Sequence, residues 1–210
     1  MFYEIGKRII DISGALVGII IFWPIMLITA IWVKMVSPEG PVYADFPNRS
    51  GRGGVDFRFY KFRSMIPEAQ KWLDANPGWK KKYIENNYKL DPDPRLIKGA
   101  LFLRKTSIDE MPQFFNVLLG QMSIVGPRAY FPFELKEQAK RYPKSKKYIE
   151  KVLTIKPGIT GPWQVGGRSE IGFEDRIKMD AKYASKRSLM YDLLIILKTP
   201  FAVISQKGAL

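Results

Sequence analysis

The residues best suited to chemistry are two adjacent carboxylates, Asp109 and Glu110, reached through Leu103-Arg104-Lys105-Thr106-Ser107-Ile108. The chain contains neither cysteine nor histidine. That excludes thiol nucleophiles, imidazole bases and Cys/His zinc sites, and leaves carboxylates, Lys, Arg, Tyr, hydroxyls or a bound metal to carry any reaction. In such a chain an Asp-Glu pair can serve as nucleophile, base and divalent-metal ligand. The spacing also fits two helix-capping boxes, Ser107-x-x-Glu110 and Thr106-x-x-Asp109, and spacing alone leaves both readings open. The neighbours favour chemistry. Arg104 and Lys105 lie just upstream and Gly126-Pro127-Arg128 lies downstream, and a cationic setting holds carboxylates ionised and binds phosphates.

Two further cationic groupings carry weaker signals. In Lys61-Phe62-Arg63-Ser64-Met65, Lys61 and Arg63 are two apart. On a strand they project from one face, as a phosphate clamp requires, although any exposed strand alternates in this way. Gly166-Gly167-Arg168 combines a flexible backbone with a guanidinium. Across the chain 34 Lys and Arg face 20 Asp and Glu, a net charge of +14. Such an excess points to an anionic partner: nucleic acid, an acidic membrane surface or a phosphorylated substrate.

These side chains need a scaffold, and 210 residues suffice for one domain with an appendage. The appendage is N-terminal. Between Lys7-Arg8 and Lys34, the run Ile9 to Val33 has Asp11 as its only charge. As a helix it would reach about 37 Å, enough for a hydrocarbon core of about 30 Å. It is too long, and lacks the small-residue site, for a cleavable signal peptide. Pro24, after Trp23, removes a backbone hydrogen bond mid-run and favours a bend. Both flanks are basic, so charge gives no clean orientation. We read residues 1–36 as a kinked re-entrant membrane helix that enters and leaves by one face, with a plain single span as the alternative. Residues 37–210 are then expected to form one membrane-associated domain carrying the candidate catalytic residues.

Within that domain, Pro41–Phe46 and Val55–Phe62 flank Ser50-Gly51-Arg52-Gly53-Gly54 and predict a β-hairpin. Residues 67–90 predict two short helices split at Asn76-Pro77-Gly78, ending at Asp91-Pro92-Asp93-Pro94. Trp79 to Tyr83 mixes cations with aromatics, which suits either an interfacial surface or a solvated face. Pro112 to Leu119 predicts a helix closed by Gly120. Phe133 to Leu153 predicts one basic helix, Lys156 to Pro162 a turn-rich loop, and Leu189 to Ile204 an apolar helix broken at Pro200. That last helix suits the membrane interface or a buried core. The fold class is α+β, predominantly α, with a small β-hairpin and amphipathic interfacial helices.

Four blocks then occur in order. They are Lys61 to Met65, Leu103 to Gln113, Asn116 to Arg128, and Lys156-Pro157-Gly158-Ile159-Thr160-Gly161. Together, over essentially the whole chain, they resemble the bacterial sugar transferase family, the monotopic polyprenol-phosphate phosphoglycosyl transferases. The resemblance implies transfer of a sugar-1-phosphate from a UDP-sugar to polyprenol (undecaprenyl) phosphate, with release of UMP, as the first membrane step of polysaccharide assembly. It implies that Asp109 is the nucleophile of a covalent phosphosugar intermediate and that Mg²⁺ sits at Asp109 and Glu110. Lys61, Arg63, Arg104, Gln113, Arg128 and Arg168 become the expected phosphate-binding set, with Trp23 and Pro24 at the membrane kink. It also implies a place on the cytoplasmic face of the bacterial inner membrane, with anionic lipids as further partners, no nucleic acid, and a homodimer left open.

Some positions depart from the family pattern: Met111 replaces a usual Leu, Ala129 a usual Pro, and Trp23 a usual small residue. The multi-span N-terminal region of longer relatives is missing, as expected of a short catalytic-core member or a piece of a longer one. Gly167-Arg168-Ser169, Asp180-x-x-Tyr183 and Ser188-Leu189-x-Tyr191-Asp192 resemble members that transfer hexose-1-phosphate. The rival class is a non-catalytic, basic, membrane-anchored module for anionic lipid or nucleic acid, which needs neither Mg²⁺ nor Asp109. A multi-span polyprenol-phosphate enzyme is disfavoured by the single apolar segment.

Overall fold

The computed structural model describes residues 2–44, 48–86, 90–167 and 171–205. Helix α1 (Phe2–Val36) has 35 residues and is about 52 Å long at 1.5 Å per residue. Its buried positions, Lys7, Asp11, Ala15, Gly18, Met26, Thr29 and Val33, follow helical periodicity and form a stripe along one face. The other face is exposed and apolar from Ile5 to Ile31.

That stripe rests on the domain along its whole length. Near the start, Lys7 Nζ donates to Val125 O at 2.9 Å and Arg8 to Val117 O at 2.8 Å. Asp11 accepts from Ser123 Oγ at 2.8 Å and Ile124 N at 2.9 Å. Midway, Phe22 stacks on Phe114 with centroids 6.2 Å apart. A Cβ on Gly18 would lie 2.6 Å from that Phe114 ring, so only glycine lets the helix approach. Near the end, Val33 packs with Ile97 and Ala100, and Trp32 Nε1 donates to Lys98 O at 3.3 Å. Pro24 leaves Ile20 O without its intrahelical donor, yet the element stays helical on both sides.

The hairpin forms in reduced size. Strands β1 (Arg49–Ser50) and β2 (Asp56–Phe57) pair antiparallel around a 3₁₀ turn at Arg52–Gly54. Its arms meet again at the Tyr43–Phe62 bridge, where Ala44 N donates to Lys61 O at 2.8 Å. Residues 45 and 46 of the expected first strand lie outside the described residues. Helices α2 (Ala69–Ala75) and α3 (Pro77–Glu85) divide where expected. Helix α4 (Ala100–Lys105) precedes the carboxylates and α5 (Gln113–Leu118) follows them. Gly120, at φ +77°, closes α5 in a conformation other residues adopt only at a cost.

Two expectations are corrected. The basic helix is two, α6 (Pro132–Arg141) and α7 (Lys146–Val152), with a 3₁₀ turn at Pro143–Ser145 between them. Pro143 cannot donate a helical hydrogen bond, and Tyr142 before it is driven to φ −127° and ψ 78°, out of the helical region. Conversely, α10 (Leu189–Ile204) runs unbroken through Pro200, since a proline's fixed φ is itself helical and only Ile196 O loses a donor.

Five elements were not foreseen: α4, α8 (Pro162–Gly166), α9 (Phe173–Lys186) and a parallel pair, β3 (Ser123–Val125) with β4 (Gly158–Thr160). Strand β4 lies inside the segment expected to be a loop. Its glycines explain the pairing: a Cβ on Gly126 would lie 2.6 Å from Gly158 N, and one on Gly158 would overlap Gly126 N outright. The domain core packs α7 and α9 through Ile149, Val152, Ile177 and Ala181 around Tyr130.

Candidate active site

Asp109 and Glu110 occupy a 3₁₀ turn, Ile108–Glu110, between α4 and α5. Ser107 enters it at φ +57°, a left-handed conformation that is costly for a residue with a Cβ. Neither capping box forms. Ser107 makes no side-chain cap bond, and Thr106 Oγ1 donates back to Phe102 O at 2.7 Å. The carboxylates are therefore not spent on local backbone. Asp109's side chain is 1% exposed and Glu110's 40%, so one acid is enclosed while the other reaches solvent.

Lys61 joins them, its Nζ 2.9 Å from Asp109 Oδ2 and 3.1 Å from Glu110 Oε1. The backbone sets that reach, because Phe62 N donates to Asp109 O at 2.8 Å and pins the hairpin arm to the turn. Asn116, fully buried on α5, fastens the same arm. Its Oδ1 accepts from Tyr60 N at 3.0 Å and its Nδ2 donates to Arg58 O at 2.7 Å.

The electrostatics separate the two acids. Burial pushes the Asp109 carboxyl up, against the pull of Lys61, and the Glu110 charge adds to the rise. For Glu110, leaving water is outweighed by Lys61, then by Gln113 and Arg128, which together hold its carboxyl below the usual glutamate range. Burial opposes the charge on Lys61, but Asp109 and Glu110 hold its pKa above the usual lysine value. The pair titrates as a unit, with the enclosed acid the more basic and hence, once ionised, the better nucleophile.

Of the expected phosphate ligands, Lys61, Arg104, Gln113 and Arg128 converge here. Arg104 donates through Nε to Ser64 Oγ at 3.0 Å and its charge acts on Asp109. Gln113 is buried and helps hold the Glu110 carboxyl down. The Arg128 guanidinium lies 5.1 Å from the Trp163 ring, with its Nε unpartnered among the described residues.

Arg63 is a correction. Its guanidinium donates to Pro41 O, Ser37 Oγ, Met65 O and Ser37 O at 2.6–3.2 Å. It fastens the end of α1 to the domain and has little left for a phosphate. The expected strand face shared with Lys61 fails because the arm pairs only by isolated bridges, at Phe62 and Met65, and forms no continuous strand. Arg168 lies outside the described residues.

Two residues lie outside the expected site set, Arg49 unnoticed and Asp180 noticed only within Asp180-x-x-Tyr183. Arg49 is buried, 3.3 Å from the Phe131 ring centroid, and donates to Ala129 O at 3.0 Å. Burial, then Arg128, pushes its guanidinium down to about 9, while Glu134 and Glu110 draw it up. It belongs to the same cation-rich wall. Asp180 on α9 accepts from Arg128 N and Tyr130 Oη, both at 3.0 Å, and so anchors the loop that carries Arg128. Its signal was periodic: Asp180 shares a helical stripe with Ile177, Ala181 and Ala184, an acid on an apolar face. Arg49 left none.

A family model described as bacterial sugar transferase matches residues 2–206. The chain belongs to the bacterial sugar transferase family. Over 212 residues it is 40% identical to "Galactosyl transferase CpsE" of Streptococcus agalactiae, covering 98% of this chain and 43% of that protein. Over 207 residues it is 40% identical to "Undecaprenyl-phosphate galactose phosphotransferase" of Salmonella typhimurium, covering 97% and 41%. "Exopolysaccharide production protein ExoY" of Rhizobium meliloti is 34% identical over 208 residues, covering 97% and 88%. The chain thus spans less than half the length of the first two relatives and most of the third.

The donor set suits a hard cation. Among the described residues no group of three or more acids comes together. The two carboxylates supply oxygen ligands, and Glu110 keeps oxygen surface open to the outside. Mg²⁺ is bound in this manner, by one or two carboxylates with water and substrate phosphate oxygens completing its shell.

Proposed function

We propose that the protein transfers a sugar-1-phosphate from a UDP-sugar to a polyprenol phosphate such as undecaprenyl phosphate, releasing UMP. The observation that carries this reading is the enclosed, uncapped Asp109 carboxylate, ion-paired to Lys61 with the Arg104 charge acting on it, beside a Glu110 on which Arg128 and Arg49 act. An Asp109 oxygen attacks the phosphorus next to the sugar, the bond to the bridging oxygen breaks, and UMP leaves with that oxygen. A phosphate oxygen of the lipid then attacks the acyl phosphate, expelling the Asp109 carboxylate and forming a polyprenol diphosphate sugar. The surrounding cations offset the repulsion between carboxylate and diphosphate. Bound at Asp109 and Glu110, Mg²⁺ would supply further charge neutralisation at the diphosphate oxygens.

The acceptor follows the printed name of the Salmonella relative, and galactose in that name favours a hexose donor. We place the reaction on the cytoplasmic face of the bacterial inner membrane, with α1 re-entrant and bending at Trp23-Pro24. Both ends of α1 rest on the same domain, at Val125 and at Lys98, whereas a simple span would carry one end away. The exposed apolar face of α1, and Leu197, Phe201 and Ile204 on α10, form the surface a bilayer would cover.

The test is UMP release from a panel of UDP-sugars with Mg²⁺ and undecaprenyl phosphate, for the parent and Asp109→Asn. The parent should turn over one sugar, lose activity with chelator, and form a phosphosugar adduct of defined mass when lipid is withheld. Asp109→Asn should lower turnover by about three orders of magnitude or more. Near-parental turnover in Asp109→Asn would overturn the nucleophile. Silence with every UDP-sugar would favour the binding-module reading.

A further inference from the structure

Beyond the C-terminal end of α5, at the opposite end of that helix from the carboxylates, lies a cavity of about 80 Å³. It opens between the first turns of α1, the hairpin turn at Arg52, and the segment leading from α7 to β4. At roughly 30 Å³ per water, it holds two or three waters or one phosphate-sized group. Its charged lining divides into paired and unpaired groups. Lys7 pairs with Asp11 at 3.7 Å and Asp192 at 3.1 Å, and Arg187 with Glu4 at 2.8 Å. The Arg8 guanidinium donates to the Val117 and Leu118 carbonyls at 2.8 and 3.0 Å, which leaves its charge uncompensated. Arg52 and Lys156 also line the cavity and make no side-chain hydrogen bond or ion pair among the described residues. Burial, then Arg8 and Arg52, pull the Lys156 pKa below the usual lysine value, while Asp11 and Glu4 oppose this only in part. Positive charge has accumulated here without its anion.

The position of the cavity says what kind of anion. Ile12 and Ile5 lie about 40° and 60° around the helix from Arg8, on the outward apolar face, at 38% and 53% exposure. Leu119, next to Leu118, is 61% exposed. An anion seated between Arg52 and Lys156 would therefore sit at the border between cations and an apolar surface, where a lipid headgroup meets its chains. We propose that this cavity binds the phosphate of an anionic membrane lipid, with Arg52 and Lys156 as donors, separately from the catalytic carboxylates. The lipid source rests on the membrane reading of α1. The phosphate chemistry alone is shared with free inorganic phosphate.

The experiment reads the reactivity of Lys156 toward an amine-acylating reagent by peptide mass spectrometry, with the exposed Lys144 and Lys147 as internal references. The full chain is mixed with phosphatidylcholine vesicles, with vesicles also containing phosphatidylglycerol, or with inorganic phosphate, and vesicle flotation records attachment separately. Phosphatidylglycerol should protect Lys156 roughly tenfold, the effect of a site about nine-tenths filled, while phosphatidylcholine and inorganic phosphate should not. Arg52→Gln, an exposed turn position whose change disturbs no packing, should remove most of that protection. Equal protection by inorganic phosphate would overturn the lipid source. Attachment to vesicles with no selective protection would overturn the site. Failure to float with either vesicle would instead defeat the membrane reading, and with it the lipid as ligand.

Discussion

Replacing Asp180 with asparagine should flatten the pH dependence of stability. Asp180 is fully buried, and its Oδ2 accepts from Arg128 N and Tyr130 Oη, both at 3.0 Å, while Oδ1 has no partner. Burial pushes the carboxyl up to about 7, against those two hydrogen bonds and the charges of Arg176 and Arg128. The same group in an unfolded chain titrates near 3.8. A carboxyl raised on folding contributes stability that is complete below about pH 4 and is lost as pH rises through about 7. The shift of about three units corresponds to about 4 kcal/mol in all, at about 1.4 kcal/mol per pH unit. Between about pH 5 and 8 the parent should lose roughly 2–3 kcal/mol through this residue. Asparagine keeps the shape and the accepting oxygen but has no proton to lose. Thermal unfolding in detergent, followed by circular dichroism, should show the Asp180→Asn advantage widening by about 5–10 °C from pH 5 to pH 8, given 2–4 °C per kcal/mol for a chain of this size. Parallel curves would refute the reasoning, because they would mean that Arg128 and Arg176 keep Asp180 ionised throughout.

Lys61→Met should cost about 3–5 kcal/mol by leaving a buried carboxylate without its counter-charge. Because Lys61 draws the Asp109 pKa down, its loss should also move the acidic limb of kcat/KM to higher pH, and an unmoved limb would exclude Asp109 as the ionising group. Arg63→Lys should lower stability by about 2–4 kcal/mol, since a lysine cannot replace four separate hydrogen bonds, with KM for the UDP-sugar unchanged. A raised KM at parental stability would return Arg63 to the phosphate site. Asp11→Leu makes the apolar run more hydrophobic yet should destabilise by about 2–4 kcal/mol, because Ser123 Oγ and Ile124 N lose their acceptor, and a gain in stability would mean that α1 is not docked there.

Periodicity and breakers made much of the fold legible. The apolar run predicted α1, Asn76-Pro77 the division of α2 from α3, and Gly120 the end of α5. The failures have local causes. Pro143 sat inside an otherwise helical pattern and ended the helix there, with Tyr142 before it outside the helical region, whereas α10 stays helical through Pro200. Strand β4 was hidden because Gly158-Ile159-Thr160 has the composition of a turn. Only the partner segment at Gly126, some thirty residues away in sequence, turns those glycines into a strand. Close backbone approach leaves no mark on one segment by itself.

The site shows the same division between what residue type conveys and what it does not. The two carboxylates were legible because a chain without histidine or cysteine offers few other nucleophiles, and the structure removes the competing capping role by giving those carboxylates no backbone to cap. The arginines were not separable by type. Arg63 stands in a recognisable block and Arg49 beside a hairpin turn, and sequence favoured the former. What distinguishes them is where their donors go. Arg63 sends its guanidinium to carbonyls and a hydroxyl at the base of α1, which satisfies donors but brings no negative charge. Arg49 gives one bond to Ala129 O, leaves Nε unpartnered, and lies where Arg128 and Glu110 also act on it. A buried guanidinium with donors to spare and a second arginine beside it costs stability until an anion arrives. In the proposed transfer, where a carboxylate meets a diphosphate, the substrate's negative charge would offset that pair at the wall beside Glu110.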